Sequence, residues 1–423
     1  MNWRNIRVYN NSQNNAFEEL VCQLARQEKS NGYKKFIRNG TPDGGVECFW
    51  QLENGKEYAW QAKYVFDIDG VITQADKSYN TALKNHPDMC NFVVAIPFDL
   101  PDPKYEKDGK AVKSALEKWN DKVSFWEEKA KKENRNVTVV LWNASVLVQK
   151  MMKPENEGMR YYWFNGEEFT TAWFKQQLEN VISDLGPRYS PELNVQLEVS
   201  KKFEYLRRSP KAYSKIQKVK KKFQRKSSAF IKEIPSINPN SEQKKKEIQE
   251  LIESISAQLE FSGYGGMEQI AFNDISSNLN ALENIVDEIR NCIYEEMEKD
   301  FYSSEFYDAY TGIENIIYEI QEMIDNRWLL LNNPLMLIYG EAGTGKSHLL
   351  ADICKREMDK GVPAVLILGD YFTSSVNPRE QIRQLFQSNL NYSSILGVLN
   401  ALGQAKGERI VFAIDALNEE QGS

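Results

Sequence analysis

An apolar run, Leu335 to Tyr339, leads straight into Gly340-Glu341-Ala342-Gly343-Thr344-Gly345-Lys346-Ser347, and a helical pattern follows. No other stretch restricts the fold so tightly. The GxxxxGK[ST] spacing belongs between a buried strand and a helix, and both patterns are present. Gly340, Gly343 and Gly345, with Thr344 between, let backbone N–H groups curl around phosphate oxygens, and the helix N-terminus adds its partial positive charge. Lys346 is then placed to reach the β- and γ-phosphates of ATP and Ser347 to ligate Mg²⁺. Two more buried-strand patterns, Ala364 to Leu368 and Ile410 to Ile414, predict a parallel sheet with crossover helices. Asp415 emerges at the end of the last one, where a carboxylate holds Mg²⁺ directly or through water. Glu419 follows and could polarise an attacking water.

The chain has 423 residues, enough for two to three domains at roughly 150 residues each. Its two histidines, His86 and His348, exclude a zinc site with several His ligands. Five cysteines form no CxxC pair, which predicts a reduced, cytoplasmic protein. No apolar run approaches the ~18 residues of a membrane span, so no membrane partner is expected. The chemistry is therefore expected to run on carboxylates, lysines, amides and a bound cation.

Residues 1–185 alternate strand and helix patterns and predict an α/β domain with a mixed sheet. Ala16 to Gln27 places Phe17, Leu20, Val21 and Leu24 on one helical face. Val46 to Leu52 and Glu57 to Phe66 are strand-like and meet at Asn54-Gly55, a hairpin signal. Gly186-Pro187 stops the last helix and opens a connector, 186–198. Residues 199–326 are helical and mostly polar, a helical bundle or long hairpin. Within them, 201–232 carries thirteen Lys or Arg against one acid, Glu204, a local balance of +12. Phe203, Tyr205, Tyr213, Phe223 and Phe230 are interleaved. Two readings stand: contact with a phosphate backbone, or a solvated helix face whose aromatics lie in a core.

The hairpin holds a second constellation: Asp43-Gly44-Gly45-Val46-Glu47, then Trp60-Gln61-Ala62-Lys63. Gln61 and Lys63 are two apart on a strand and share a face. A lysine beside an acid at a strand pair can hold a water and stabilise a pentacovalent phosphate, while the acid binds Mg²⁺ or Mn²⁺. Glu18, on the first helix, can add a carboxylate. A two-residue turn at Asn54-Gly55 would set Cys48 opposite Gln61 and turn Glu47 to the other face. A bulge would restore it; otherwise Asp43 is the main ligand. Both arrangements stay open.

DGGVE and WQAKY, with the α-β-β-α-β order, resemble the PD-(D/E)xK nuclease superfamily in the QxK variant of Mrr-like restriction nucleases. The resemblance covers about residues 10–185 and implies a restriction-endonuclease-like fold and cleavage of double-stranded DNA. The run IVFAIDALNE resembles the Walker B region of STAND-type NTPases, with Asn418 where a second acid usually sits. The 89 residues from Leu335 to Ser423 fall short of the ~150 such a domain needs, so a longer parent chain is expected. The whole order is similar to the antiviral STAND (AVAST) proteins of antiphage defence. It implies an α/β multidomain protein: an effector over 1–185, a linker over 186–198, a helical linker domain over 199–326 and the first part of a P-loop STAND domain over 327–423. It further implies a C-terminal sensor, absent from this chain, for a phage protein, and a homo-oligomer on activation. An ATP-coupled restriction or repair nuclease, and an ATP switch with a non-catalytic nuclease fold, are the alternatives.

Overall fold

The structure is a computed structural model. It describes residues 1–28, 32–40, 42–102, 105–107, 110–165, 168–193, 198–235, 239–260, 269–373 and 375–416.

Ser12 caps the first helix, α1 (Gln13–Gln27), by accepting from Asn15 N. Its stripe Phe17, Leu20, Val21 and Leu24 is buried, as the spacing predicts. Then follow β1 (Tyr33–Arg38), β2 (Cys48–Leu52), β3 (Glu57–Ala62), α2 (Ile68–Asn85) and β4 (Met89–Ala95). A short hairpin, β5 (Tyr105–Lys107) and β6 (Lys110–Val112), precedes α3 (Ala115–Lys132), β7 (Thr138–Trp142), α4 (Ala144–Met151), α5 (Glu157–Phe164) and α6 (Thr171–Leu185). Asn143 caps α4, as its position predicts.

The strand order is β1-β2-β3-β4-β7. Pairing is antiparallel from β1 to β3 and parallel from β3 to β7. The change follows from the connections: tight turns join β2 to β3, whereas α2 and α3 are crossovers, which parallel neighbours require. α1 packs on β2 and β3. Val71, Ala75 and Tyr79 of α2 and Trp119 and Trp126 of α3 close a core with Ala59, Phe92 and Val94. The sequence is thus a mixed α/β chain.

The middle of the chain is helical: α7 (Glu198–Leu206), α8 (Pro210–Glu233), α9 (Pro239–Gln258), α10 (Phe272–Met297) and α11 (Glu305–Met323), then a π turn, Ile324–Trp328, and α12 (Leu329–Asn332). One core, with Phe223, Phe230, Ile255, Leu279, Ile313 and Trp328, runs through them. Four of the five aromatics of the basic stretch, Phe203, Tyr205, Phe223 and Phe230, are buried; Tyr213 is half-buried. The four buried aromatics are taken up by packing, which leaves chiefly the cations for a binding role.

The last part holds α13 (Lys346–Asp359), β8 (Ala364–Leu368), α14 (Pro378–Leu385), α15 (Tyr392–Lys406) and β9 (Val411–Asp415). β8 and β9 form a two-stranded sheet. The run Leu335 to Tyr339, expected as a buried strand, is not one. Leu335, Leu337 and Tyr339 are 76%, 75% and 89% exposed, and the segment carries no strand pairing. An apolar run becomes a strand only where a neighbouring strand takes its backbone groups, and no strand among the described residues pairs with it here.

Contacts divide the chain into two units: 1–186 with 354–406 and 412–423, and 187–353 with 407–411. The segment read from sequence as 327–423 is shared between them. Within the first unit, α15 packs on α5 where Gly158 and Gly397 let the backbones meet; a Cβ on Gly158 would come within 2.4 Å of Ser394 O. No helix among the described residues is long and apolar enough to cross a membrane.

Candidate functional site

The β2–β3 connection decides which side chains share a face. Leu52 N donates to Lys56 O at 2.8 Å, and Gly55 takes φ +81°. The loop is therefore Glu53-Asn54-Gly55, three residues with a glycine in the left-handed region, rather than two. This moves the register by one. Cys48 lies opposite Trp60, not Gln61. Glu47 N donates to Trp60 O at 2.8 Å, and the Gln61 side-chain amide donates to Glu47 Oε1 at 2.5 Å. Glu47 thus stands with Gln61; the face expected for it from a two-residue turn is corrected by the bulge at Gly55.

Asp43 enters the same region through a loop built by glycine. Gly44 and Gly45 have φ +66° and +95°, and a Cβ on Gly45 would meet Ser78 O at 2.4 Å and Ala82 N at 2.5 Å on α2. Only glycine fits both conformation and space. Asp43 Oδ1 accepts from Gly45 N at 3.0 Å. Asn39 clamps the loop from the other side, its side chain donating to Asp43 O and Val46 O, each at 3.0 Å.

Three carboxylates and Lys63 share one electrostatic neighbourhood. Burial raises Glu47 to about 7, and the charges of Glu18 and Asp43 push the same way against Lys63 and Arg38. Burial likewise raises Glu18, opposed by Lys63 and Arg38. Lys63 is lowered by burial, opposed by Glu47, Asp43 and Glu18. The structure brings Glu18, Asp43, Glu47, Gln61 and Lys63 together. Arg38 is a member that the sequence reading missed. It pairs with buried Glu19, next to Glu18 on α1. β1, which presents it, has a weak alternation in Tyr33-Lys34-Lys35-Phe36-Ile37-Arg38, and Asn39-Gly40 after it is the one turn signal that marks its end. His86, by contrast, caps α2 and binds Glu57 Oε2 through Nδ1 at 2.7 Å.

The donor set suits a hard cation, because every candidate ligand is oxygen. Gln61 is 1% exposed, and its Oε1 is buried with no hydrogen-bond partner. An unmatched acceptor there costs about 1–3 kcal/mol unless a cation, water or substrate donor meets it. Among the described residues no three His, Cys, Asp or Glu side chains are arranged to hold a metal by themselves. A Mg²⁺ ion here would take one or two of these carboxylates and fill its shell with water and substrate phosphate, its usual habit.

The glycine loop forms at the start of α13. Gly343 and Gly345 take φ +77° and +83°. Thr344 Oγ1 donates to Glu341 O at 2.8 Å, closing the turn. Lys346 Nζ donates to Gly340 O at 2.9 Å and Glu341 O at 2.8 Å, so the ammonium lies over the loop. Lys346 and Ser347 open the helix, where N–H groups lack intrahelical acceptors. The residues fit a nucleotide phosphate. His348 anchors the helix start, its Nε2 meeting Ser190 O at 2.8 Å. Asp415, in the first unit, is 4% exposed, and its Oδ2 is buried without a partner. Glu419 lies outside the described residues.

No family model, curated protein or solved structure matches this chain.

Proposed function

We propose that the chain is a Mg²⁺-dependent endonuclease of double-stranded DNA joined to an ATP-binding module, and that it serves as the effector part of an antiphage STAND protein. The observation that carries the reading is the meeting of Glu47, Gln61 and Lys63 on one hairpin, with Asp43 and Glu18 in the same field. Glu47 and Asp43, with Glu18 beside them, would hold the cation. When bound, the cation polarises the phosphate and the attacking water. Gln61 orients Glu47 through its amide. Lys63, half-buried in the field of Glu47, Asp43 and Glu18 and without an ion pair among the described residues, would donate to a phosphate oxygen as charge grows there. The ATP module rests on Gly340, Gly343, Thr344, Gly345, Lys346 and Ser347; the role of Asp415 as the Walker B acid comes from the resemblance to STAND-type NTPases alone. Assembly into an oligomer and sensing of a phage protein come from the resemblance to antiviral STAND proteins alone.

The test is metal dependence. Supercoiled plasmid should be cut by the chain in Mg²⁺ or Mn²⁺, left intact in EDTA, and cut again when Mg²⁺ is returned in excess. Cutting that persists in chelator would overturn the site.

A further inference from the structure

We propose that the solvent face of α8 is a docking surface for the phosphate backbone of double-stranded DNA. The nuclease reading supplies the identity of the polymer; the surface itself is read from the helix. At 100° per residue, Lys211, Lys215, Lys218, Lys222 and Arg225 fall within a band about 80° wide, with Lys221 about 40° beyond its edge. Lys211, Lys218, Lys221, Lys222 and Arg225 are exposed. Ala212, Ile216, Val219, Phe223 and Phe230 occupy a separate band, centred about 110° round the helix, in the bundle core. The apolar side of the helix is therefore fully used by the fold, and the basic side is left to solvent.

Neighbouring acids neutralise only part of this charge. Glu319 pairs with Lys222 at 2.5 Å, Glu260 with Lys220 at 3.3 Å, and Glu204 lies 3.8 Å from Lys211. Among the described residues no acid pairs with Lys218, Lys221 or Arg225. Lys215 feels the surplus. Burial and the positive charges of Lys211, Arg327 and Lys201 lower its proton affinity, with Glu204 opposing. The whole chain carries −7 and the segment 201–232 carries +12, so the remainder carries −19. A polyanion is repelled by most of the protein and drawn to this stripe.

The chemistry of the stripe selects its occupant. Single strands bind where aromatics stack on bases; Phe223 and Phe230 lie in the core, and half-buried Tyr213 falls about 160° round the helix from the stripe. Membrane-surface helices need an apolar face to insert, and protein interfaces need an apolar or aromatic anchor. From Lys211 to Arg225 the exposed positions that are not cations are Ser214 and Gln224. Charge without anchors suits sequence-independent phosphate contact. From Lys211 to Arg225 the stripe runs about 21 Å, the length of about six base pairs.

The experiment measures duplex affinity of the full 423-residue chain in EDTA, by fluorescence anisotropy across a salt series. Replacing Lys218, Lys221 and Arg225 together by Gln should leave the melting curve unchanged. It should make the slope of log K against log salt shallower by about 0.9 per side chain, about 2.7 in all. Lys246→Gln, exposed on α9, should change little. Single-stranded DNA, phosphatidylserine vesicles and polyglutamate should each compete less well than duplex. An unchanged slope in the triple variant, an equal loss in Lys246→Gln, or full competition by vesicles or polyglutamate would overturn the proposal. The two readings fail separately. A chain that binds duplex through the stripe but never cuts overturns the nuclease alone. A chain that cuts with Mg²⁺ and keeps its slope in the triple variant overturns the stripe alone.

Discussion

Burial and two neighbouring carboxylates raise Glu47 from an ordinary 4.5 to about 7. Between those values the folded chain holds a proton that the unfolded chain has released. Stability from this group is therefore fully present below about 4.5 and falls as pH rises toward 7. Glu47→Gln removes the charge and keeps an acceptor for Gln61. In EDTA, its urea-unfolding free energy relative to the parent should rise by roughly 2–3 kcal/mol from pH 5 to pH 8. A difference that stays flat with pH would show that Glu47 is not buried among acids. The glycines nearby are a separate matter of space. Gly45→Ala forces a Cβ into Ser78 O and Ala82 N at φ +95°. It should cost roughly 2–3 kcal/mol in denaturant melts. A neutral outcome would mean that the Asp43 loop does not rest on α2.

Two elements show what the sequence could and could not tell. Glu53-Asn54-Gly55 contains the Asn-Gly pair of a two-residue turn, and the same letters serve a three-residue loop with its bulge at glycine. The choice is made by backbone pairing at Leu52 and Lys56, which no local pattern encodes. The residue types of the site were legible; the face of Glu47 was not. Deleting Asn54 leaves Glu53 and Gly55 as a two-residue loop between the same partners, Leu52 and Lys56, so Glu47 should stay opposite Gln61. The variant should stay folded by circular dichroism and keep metal-dependent cutting. Loss of cutting by a folded variant would contradict the register argument. Leu335 to Tyr339 shows the opposite limit. Its apolar pattern reads as a strand, yet strand formation depends on a partner elsewhere in the chain. The helices were easier to read, because α1 and α8 carry their own periodicity and α4 its own cap.

On the scale of the whole chain, α1 joins separate parts of the first unit. It carries Glu18 and Glu19 near the hairpin, and one turn on, Gln23 donates to Glu19 Oε1 at 2.9 Å and to Ala401 O of α15 at 3.0 Å. Gln23 Oε1 accepts from Trp163 Nε1 at 3.0 Å. The contact between α1 and the late helix α15 was not legible from local pattern, because 378 residues separate Gln23 from Ala401. The central claim, that this unit cuts DNA phosphodiesters with Lys63 as the charge stabiliser, is tested most directly by one comparison. Single-turnover cleavage of a plasmid in Mg²⁺ is measured for the parent chain and for Lys63→Ala, each with its melting curve. The account predicts a normal melt and a cleavage rate lower by about 10²- to 10³-fold in the variant. An unchanged rate with an unchanged melt would contradict it.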